Sequence, residues 1–309
     1  MKRSGWSGAS EYGRYLAGYN ANMDVSFCVV NLNAKNHLND CLISIPGSLD
    51  TTSYEIIITD NNSNDGSVEY IREHYPNVSV ITNSRNEGYT KAINQALKCS
   101  KGDYKVILNP DSILMPNSIS QILQFLRSDD SIGIVGPKVI DDSGVFQRSC
   151  RRGIARPAAV FSYFLGLSKL FPLDKKYTGY HLNHLNTDDI NEVSGVSGSC
   201  MVIRNNVIDD IGYFDEQYFA YQEDSDYCLT AKNNGWKIYY YPESIVKHIG
   251  GQGGSHSVRS RAIFEWHRSY VRYFYKHFAN DYPNIFNIFY LIIMIAKLIF
   301  TQITYVIKK

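Results

Sequence analysis

The sequence predicts an α/β fold in which helices flank a mainly parallel central sheet, followed by a helical tail. Short apolar segments alternate with amphipathic helical patterns in residues 25–126, and polar residues follow three of the four predicted strands. The C-terminal residues 284–309 are the most apolar part of the chain. With 309 residues, 44% of them hydrophobic, the chain can bury a sizeable core in one large or two small domains.

Strands and helices are predicted in alternation. Strands are predicted where apolar and β-branched residues cluster, and helices where apolar residues recur at three- and four-residue steps. The predicted strands are Val25–Val30, Tyr54–Thr59, Val78–Ile81 and Tyr104–Leu108, and the predicted helices are Leu38–Ile45, Val68–His74, Tyr89–Cys99 and Ile119–Leu126. This βαβα order predicts parallel strands covered by helices.

Charge and cysteine content limit the class of partner. The net charge of +1, from 31 basic and 30 acidic residues, gives no global field for nucleic acid, so a small partner is expected. The six cysteines are scattered and form no C-x-x-C motif, which favours a reducing cytosol. Residues 1–23 lack the apolar stretch of a secretory signal and are interpreted as a mobile N-terminal extension, so Met23 is an alternative start.

Polar residues at the strand ends predict a ligand site. In open α/β sheets, ligands bind in the crevice at the carboxyl ends of the strands. The polar residues after the first, second and fourth strands include Asn31, Asn33, Asp60, Asn62, Asn109 and Asp111. We expect them to share one rim, although turn formation alone could explain the run 63–67.

The fourth strand ends at Asn109-Pro110-Asp111, which predicts a metal-assisted diphosphate site. Asp111 offers a hard oxygen ligand to Mg²⁺ or Mn²⁺, Pro110 stiffens the turn, and Asn109 can bond a ribose or phosphate. Neither G-x-G-x-x-G nor G-x-x-x-x-G-K-[ST] follows the first strand. Phosphates would therefore require a bound cation.

A series of motifs resembles family 2 glycosyltransferases of the GT-A fold, in the same order. The motifs are VVNLN (29–33), TDNNSNDGS (59–67), NEGY (86–89), LNPD (108–111), SGSCM (197–201), GYFDE (212–216), YQEDSD (221–226), GW (235–236) and VKH (246–248). They are most similar to the rhamnosyltransferase-like branch, where N-P-D commonly replaces D-x-D. The resemblance implies a Rossmann-like GT-A domain over residues 24–255.

The resemblance also implies a role for each candidate site residue. Asp224 is the expected general base, with Glu223 and Asp226 as supports, and Asp60 is expected to bond the nucleobase. The expected nucleotide-sugar contacts are Asn31, Asn33, Asp60, Asn62, Asn86, Gly88 and Asn109, and the expected metal ligands are Asp111 and His248. Alternatively, the three acids only favour the start of a helix predicted to follow residue 226.

Two basic features leave alternatives open. His248 follows the last predicted strand, Lys237–Tyr241, and opens a glycine-rich run, 248–256, suited to a loop that orders over a nucleotide. A purely structural histidine is the alternative. The arginines of segment 148–152 are expected on solvated surface, with diphosphate binding as the alternative, and those within 259–272 pose the same choice.

The apolar tail predicts a helix lying in a membrane surface. Lys297 falls near the middle of residues 288–307, which argues against a simple span. A weakly polar stripe follows alternating steps of three and four residues: Asn287, Tyr290, Met294, Lys297, Thr301, Thr304 and Lys308. Basic and aromatic residues in 268–277 favour an anionic membrane face, and packing on protein is the alternative. We therefore expect a helical C-terminal region, 256–309, on a cytoplasmic protein that is peripheral on the inner face of the cell membrane.

The expected function is sugar transfer with inversion during cell-surface polysaccharide synthesis. The resemblance favours dTDP-rhamnose as donor and a saccharide or lipid-linked saccharide as acceptor, and a UDP-hexose or UDP-N-acetylhexosamine donor is the alternative. Asn109 stands where many relatives carry a metal-binding aspartate, so a non-catalytic, membrane-associated sugar-binding relative is a second alternative. A nucleotidyltransferase would need a glycine-rich basic loop after the first strand, which residues 31–36 are not.

Overall fold

A nine-stranded, mainly parallel sheet forms the centre of the protein within the described residues. The computed structural model describes residues 23–250 and 259–307, so the predicted N-terminal extension and most of the glycine-rich run lie outside the described residues. The strands are β1 (Val25–Asn31), β2 (Tyr54–Asp60), β3 (Ser79–Thr82), β4 (Tyr104–Leu108), β5 (Ser112–Leu114), β6 (Ile132–Ile140), β7 (Arg151–Arg152), β8 (Asn191–Glu192), β9 (Gly195–Val196), β10 (Cys200–Arg204) and β11 (Lys237–His248).

The strand order is β3-β2-β1-β4-β10-β6-β11-β5, with β8 also paired to β11. The first four predicted strands pair in parallel with one another, as expected, and the fifth, Lys237–Tyr241, is part of β11. The antiparallel strands β5, β8 and β10 were not predicted, and β7 pairs with β9 in a separate ribbon. In β10 the apolar run Cys200–Ile203 is too short for periodicity to separate a strand from a buried helix.

Helices cover both faces of the sheet. They are α1 (Lys35–Gly47), α2 (Ser67–His74), α3 (Tyr89–Cys99), α4 (Ser118–Ser128), α5 (Pro157–Phe164), α6 (Leu167–Leu170), α7 (Lys175–Thr178), α8 (Asn205–Ile211), α9 (Glu223–Asn233), α10 (Arg259–His277) and α11 (Asn284–Ile307). The four helices predicted within residues 38–126 are confirmed as α1 to α4. In β1, Phe27 and Val29 pack on one face and Cys28 and Val30 on the other, because successive side chains of a strand alternate.

The last two helices, α10 and α11, form an antiparallel hairpin. The rings of Phe274 and Tyr290 stack with their centroids 4.1 Å apart, and Lys297 Nζ lies 3.3 Å from His267 Nε2. The hairpin continues to Ser260, whose hydroxyl donates to Gln302 Oε1 at 2.9 Å. Residues of the predicted polar stripe of α11, among them Tyr290 and Lys297, therefore face α10.

The outward face of α11 is apolar along its whole length. It exposes Ile285, Ile288, Phe289, Ile292, Ile295, Ile299, Phe300, Ile303, Val306 and Ile307. The helix is long and apolar enough to cross a membrane, with a mean hydropathy of 1.9 over an 18-residue window that is 11% buried. Lys297 does not interrupt this face, because its ammonium group lies 4.3 Å from the ring centroids of both Phe164 and Trp266.

Candidate active site

A cleft of about 330 Å³ opens where the loops after β1, β2 and β4 meet the start of α9 and the first turns of α10. The predicted site residues that line it are Asn86, Asn109, Asp111, Glu223, Asp224 and His248. The predicted residues that do not line it are Asn31, Asn33, Asp60, Asn62, Gly88 and Asp226. Six of the predicted site residues therefore line one cavity, and the other six lie behind or beside it.

Asp60 lies behind the cleft wall in a hydrogen-bonded brace. Its carboxylate is 2% exposed and accepts hydrogen bonds from Asn31 Nδ2 at 2.8 Å and from the Ser63 amide at 2.9 Å. The same Asn31 amide donates to Ser63 Oγ at 3.0 Å. This brace joins the ends of β1 and β2, and the nucleobase contact of Asp60 stays a prediction.

Asparagines also shape the two loops beside this brace. Asn33 and Asn62 adopt left-handed conformations, with φ of 54° and 71°, which asparagine tolerates better than most residues. Asn61, which the sequence did not single out, donates to Asn86 Oδ1 at 3.0 Å and to the Gly88 carbonyl at 3.1 Å. These bonds hold Asn86 at the cleft.

Gly88 is required by a close approach of the chain. Its φ is +93°, and a Cβ atom there would lie 2.6 Å from the carbonyl oxygen of Phe219. The same carbonyl accepts a hydrogen bond from the Tyr89 amide at 2.7 Å. Gly88 therefore lets the segment before α9 pack on the start of α3, and its contact with a nucleotide sugar stays a prediction.

Asp111 and His248 face each other across the floor of the cleft. Asp111 Oδ1 lies 3.3 Å from His248 Nε2, and Asn109 Nδ2 lies 3.3 Å from the same nitrogen. Strand β11 extends to His248, further than the predicted end at Tyr241, and pairs antiparallel with β5, so that His248 stands opposite Ser112. Strand pairing therefore brings together two predicted ligands that are distant in sequence.

Gln147 sets the tautomer of His248. Its Nε2 donates to the His248 carbonyl at 2.6 Å, so its Oε1 accepts from His248 Nδ1 at 3.0 Å. With the proton on Nδ1, Nε2 carries the lone pair that a metal-ligating imidazole needs. The sequence did not single out Gln147 for any role.

The Asp111 and His248 pair fits a divalent cation that is shared with a ligand. Among residues 23–250 and 259–307, no group of three or more His, Cys, Asp or Glu side chains is arranged to hold a metal ion. Mg²⁺ is commonly held by only one or two carboxylates together with substrate phosphates and water. One carboxylate and one imidazole on a cleft floor therefore suit an ion that a diphosphate helps to bind.

Asp224 lies in the first turn of α9, which begins at Glu223. The prediction that the acidic cluster precedes the helix is therefore wrong, and the acids sit at the positive end of the helix dipole. Asp224 Oδ2 accepts hydrogen bonds from Arg152 Nη2 and from the Gly198 amide at 3.0 Å. Its Oδ1 accepts from the Ser225 amide at 2.7 Å.

The prediction that the arginines of segment 148–152 lie on solvated surface is wrong for Arg151 and Arg152. Arg152 is 8% exposed and pairs with Asp224. Arg151 is 1% exposed and donates to the carbonyls of Asn186 and Leu185, each at 2.6 Å. Buried arginines need such partners because an unpaired charge in the interior is costly.

Arg261 is the arginine of α10 that lines the cleft. Its guanidinium lies 4.0 Å from the ring centroid of Phe219. Arg268, in contrast, pairs with Glu265 at 2.8 Å. The sequence left surface exposure and diphosphate binding open for both arginines. Of the two, Arg261 is the one that lines the cleft and can contact an anionic ligand.

Glu223 is a buried carboxyl group on the cleft wall. It is 8% exposed, and its Oε2 has no hydrogen-bond partner among the described residues. Burial, reinforced by the charge of Asp224, raises the pKa of Glu223 from 4.5 to about 8. The folded protein therefore binds this proton more tightly than the unfolded chain does.

This pKa gives a testable pH dependence. Stability from protonated Glu223 is fully present below pH 4.5 and is lost as the pH rises through about 8. We expect Glu223→Gln to raise the melting temperature relative to the parent by a margin that grows across this interval. Thermal unfolding at a series of pH values measures it, with the exposed Glu69→Gln as control. A margin that does not change with pH would contradict the assignment.

Asp226 points away from the cleft, toward α10. Its Oδ1 accepts from His277 Nε2 at 2.7 Å and from the Tyr218 hydroxyl at 3.1 Å, and its Oδ2 accepts from Lys276 Nζ at 2.8 Å. None of these contacts involves Asp224. Asp226 therefore joins α9 to α10, a different arrangement from the predicted support of Asp224.

The residues before α9 hold a strained backbone. Tyr221 and Gln222 both have positive φ, 69° and 61°, although neither is glycine. Such conformations cost about 1–3 kcal/mol each and persist only where the surroundings enforce them. The close approach of Phe219 to Gly88 lies just upstream. This turn determines where α9 begins, and it therefore determines the position of Asp224.

Comparison with known proteins supports the predicted family. Residues 22–266 match the profile of Glycosyltransferase like family 2. The chain is similar to an N-acetylglucosaminyl-diphospho-decaprenol L-rhamnosyltransferase of Mycobacterium tuberculosis, 28% identical over 204 residues, which covers 62% of this chain and 66% of that protein. It is also similar to rhamnosyltransferase WbbL of Escherichia coli, 24% identical over 233 residues, which covers 72% of this chain and 83% of that protein.

Solved structures share the fold. A mannosyltransferase, PcManGT of Pyrobaculum calidifontis with GDP-Man and Mn²⁺, aligns with a TM-score of 0.54 and 17% identity, covering 94% of this chain and 76% of that one. GalNAc-T7 with UDP, GalNAc and Mn²⁺ aligns with a TM-score of 0.57 and 19% identity, covering 83% of this chain and 48% of that one. The predicted GT-A fold is confirmed. Because the family profile spans more than half of the chain, this protein belongs to Glycosyltransferase like family 2.

Proposed function

We propose that the protein is an inverting glycosyltransferase that moves a sugar from a nucleotide-sugar donor to a saccharide or lipid-linked saccharide acceptor. The observation that carries the proposal is that Asp224 lines the same cleft as the pair formed by Asp111 and His248. A carboxylate can accept a proton from an attacking hydroxyl, and the pair can hold the leaving diphosphate through a cation.

Asp224 acts as the base in this proposal. The acceptor oxygen bonds to the anomeric carbon, the bond from that carbon to the diphosphate oxygen breaks, and the hydroxyl proton passes to the carboxylate. Arg152 and the Gly198 amide hold Oδ2, so the orientation of the carboxylate is set before the acceptor arrives. Attack opposite the leaving group inverts the anomeric configuration.

Asp111 and His248 hold a divalent cation, Mg²⁺ or Mn²⁺, in this proposal. When bound, the ion offsets the negative charge that develops on the departing nucleoside diphosphate. Gln147 keeps the proton on Nδ1 of His248, so that Nε2 stays available as a ligand. Asn109 Nδ2 lies 3.3 Å from that nitrogen, and in this proposal Asn109 orients the same end of the donor.

We further propose dTDP-rhamnose as the donor and cell-surface polysaccharide synthesis as the setting. The support is the similarity to two proteins named rhamnosyltransferases, one of them named for a diphospho-decaprenol acceptor. A lipid-linked acceptor agrees with the apolar outer face of α11, which we propose lies in the inner face of the cell membrane. The catalytic domain then faces the cytoplasm, where nucleotide sugars are made.

Release of nucleoside diphosphate tests the proposal. We expect turnover with dTDP-rhamnose that requires Mg²⁺ or Mn²⁺, and lower turnover with UDP-hexoses and UDP-N-acetylhexosamines. We expect Asp111→Ala to lower turnover by about 10²-fold, since a catalytic metal contributes several kcal/mol. The control is Asp130→Ala, at a carboxylate that is 97% exposed and paired with Arg204.

Each outcome decides a part of the proposal. Full activity of Asp111→Ala in Mn²⁺ would overturn the metal role, and turnover confined to a UDP-sugar would overturn the donor. No release from any donor, with the fold intact by circular dichroism, would favour a non-catalytic sugar-binding protein.

A further inference from the structure

The segment of residues 165–176 follows α5, contains α6 and ends in the first turn of α7. It exposes several large apolar side chains, and we call it the tip segment. Its exposed apolar residues are Leu165 (72%), Leu170 (70%), Phe171 (50%) and Leu173 (81%). Elsewhere in the described part of the catalytic domain, exposed large apolar residues such as Ile43 and Val145 are far apart in the sequence, and single ones are normal for a soluble surface. The grouping in the tip segment therefore indicates a binding surface.

We propose that the tip segment is a second membrane-inserting element, which enters the same bilayer as the outer face of α11. The inference deepens the proposed membrane attachment and rests on it. It adds a contact from the catalytic domain itself, between β7 and β8, in a region that the sequence did not single out for any role.

The tip segment begins beside the middle of α11. The ring centroids of Phe161 and Tyr290 are 5.8 Å apart, and Lys297 Nζ lies 4.3 Å from the ring centroid of Phe164. Leu165, the next residue, is already exposed. Phe161 and Phe164 thus pack on the inward side of α11, and the tip segment leaves the domain beside that helix. In this proposal, one bilayer meets both the tip segment and the outer face of α11.

The charges of the tip segment suit an anionic membrane. Lys169, Lys175 and Lys176 are exposed beside the apolar residues, and Asp174 is the one acidic residue of the segment, which gives it a net charge of +2. Apolar side chains bordered by lysines are typical of segments that insert at the headgroup level of anionic bilayers. The Asp174 carboxylate caps α7 through the Lys176 amide at 2.8 Å, so the lysines are held next to the apolar residues.

The test compares three double variants of the full chain for binding to vesicles of phosphatidylglycerol and phosphatidylcholine. The tip variant is Leu170→Asn/Leu173→Asn, the helix variant is Ile292→Asn/Ile299→Asn, and the control is Ile43→Asn/Val145→Asn. All six side chains are at least half exposed, so folding should survive each substitution. We expect the tip variant to bind about 100-fold more weakly than the parent, about tenfold for each leucine withdrawn from lipid, and the control to bind like the parent.

A fourth variant tests the charges. Lys175→Gln/Lys176→Gln should weaken binding to these anionic vesicles by about tenfold or more, and should leave binding to pure phosphatidylcholine vesicles unchanged. An equal loss on both kinds of vesicle would overturn the electrostatic part of the proposal.

The outcomes separate this inference from the proposed attachment by α11. If the helix variant loses binding and the tip variant does not, the attachment stands and the tip proposal fails. If neither loses binding, both fail. If the tip variant instead dissociates a dimer in sedimentation velocity while vesicle binding is unchanged, the tip segment is an interface between copies of this chain.

Discussion

Replacing Asp224 with asparagine is expected to slow sugar transfer by about 10² to 10⁴, the usual contribution of a positioned general base. The amide keeps the shape of the carboxylate and can still accept a hydrogen bond from Arg152, but it cannot carry off the proton of the acceptor hydroxyl. Donor affinity should change little, because the proposed cation ligands, Asp111 and His248, are left intact. Single-turnover transfer and nucleotide titration measure the two effects separately.

Asp226→Asn is the matched control on the same helix. Its carboxylate bonds Tyr218, Lys276 and His277 and makes no contact with Asp224. We expect it to lower the melting temperature by loosening α9 from α10 while transfer falls less than in Asp224→Asn. A larger loss of transfer in Asp226→Asn, with donor affinity unchanged, would move the base to Asp226.

Replacing Arg152 with methionine is expected to lower the free energy of unfolding by about 3–5 kcal/mol, because it leaves the carboxylate of Asp224 buried without its counter-charge. Side-chain exposures of 9% for Arg152 and 13% for Asp224 leave the pair largely shielded from solvent, although Asp224 lines the cleft. Urea denaturation measures the loss. Arg152→Lys keeps the charge but lacks the planar guanidinium, so it should recover part of the stability.

A double-mutant cycle isolates the pair. Adding Asp224→Asn to Arg152→Met removes the uncompensated charge. The double variant should therefore lose less free energy of unfolding than the sum of the two single losses. Arg151→Met is the control, since Arg151 donates to carbonyl oxygens and, among the described residues, forms no ion pair with a carboxylate. Its loss should add to that of Asp224→Asn. Additive losses for Arg152 and Asp224 would show that the contact contributes nothing to the free energy of unfolding.

Local pattern predicted the parallel half of the sheet and the rim of the cleft. The strands β1 to β4 were recognisable because their apolar residues stand between turns and amphipathic helices, and the topology rule placed their polar ends together. Asn109 and Asp111 follow directly from this rule. His248 was a candidate because it follows the last predicted strand and opens the glycine-rich run, but nothing local to it specifies that β11 pairs antiparallel with β5.

The missed residues depend on long-range contacts. Arg152 meets Asp224 across 72 positions of sequence, and Gln147 meets His248 across 101. The arginine cluster was predicted to be solvated because most arginines are exposed. No local signal marks the arginines that are buried because they pair with a distant carboxylate or carbonyl. For the same reason, the sequence could not predict that the polar stripe of α11 packs on α10. Periodicity identifies a face of a helix but not the partner that the face contacts.

The position of α10 between the cleft and the apolar face has a consequence for acceptor length. Arg261 and Glu265 of α10 line the cleft, and α11 packs along the same helix. With helix diameters of roughly 10–12 Å, the cleft wall lies at most about 20–24 Å from the outer surface of α11. If α11 lies in the membrane as proposed, this distance separates the bilayer from the cleft. An acceptor whose lipid stays in the bilayer can present its hydroxyl only if its polar head matches that reach, so the enzyme would select acceptors by length as well as by sugar identity.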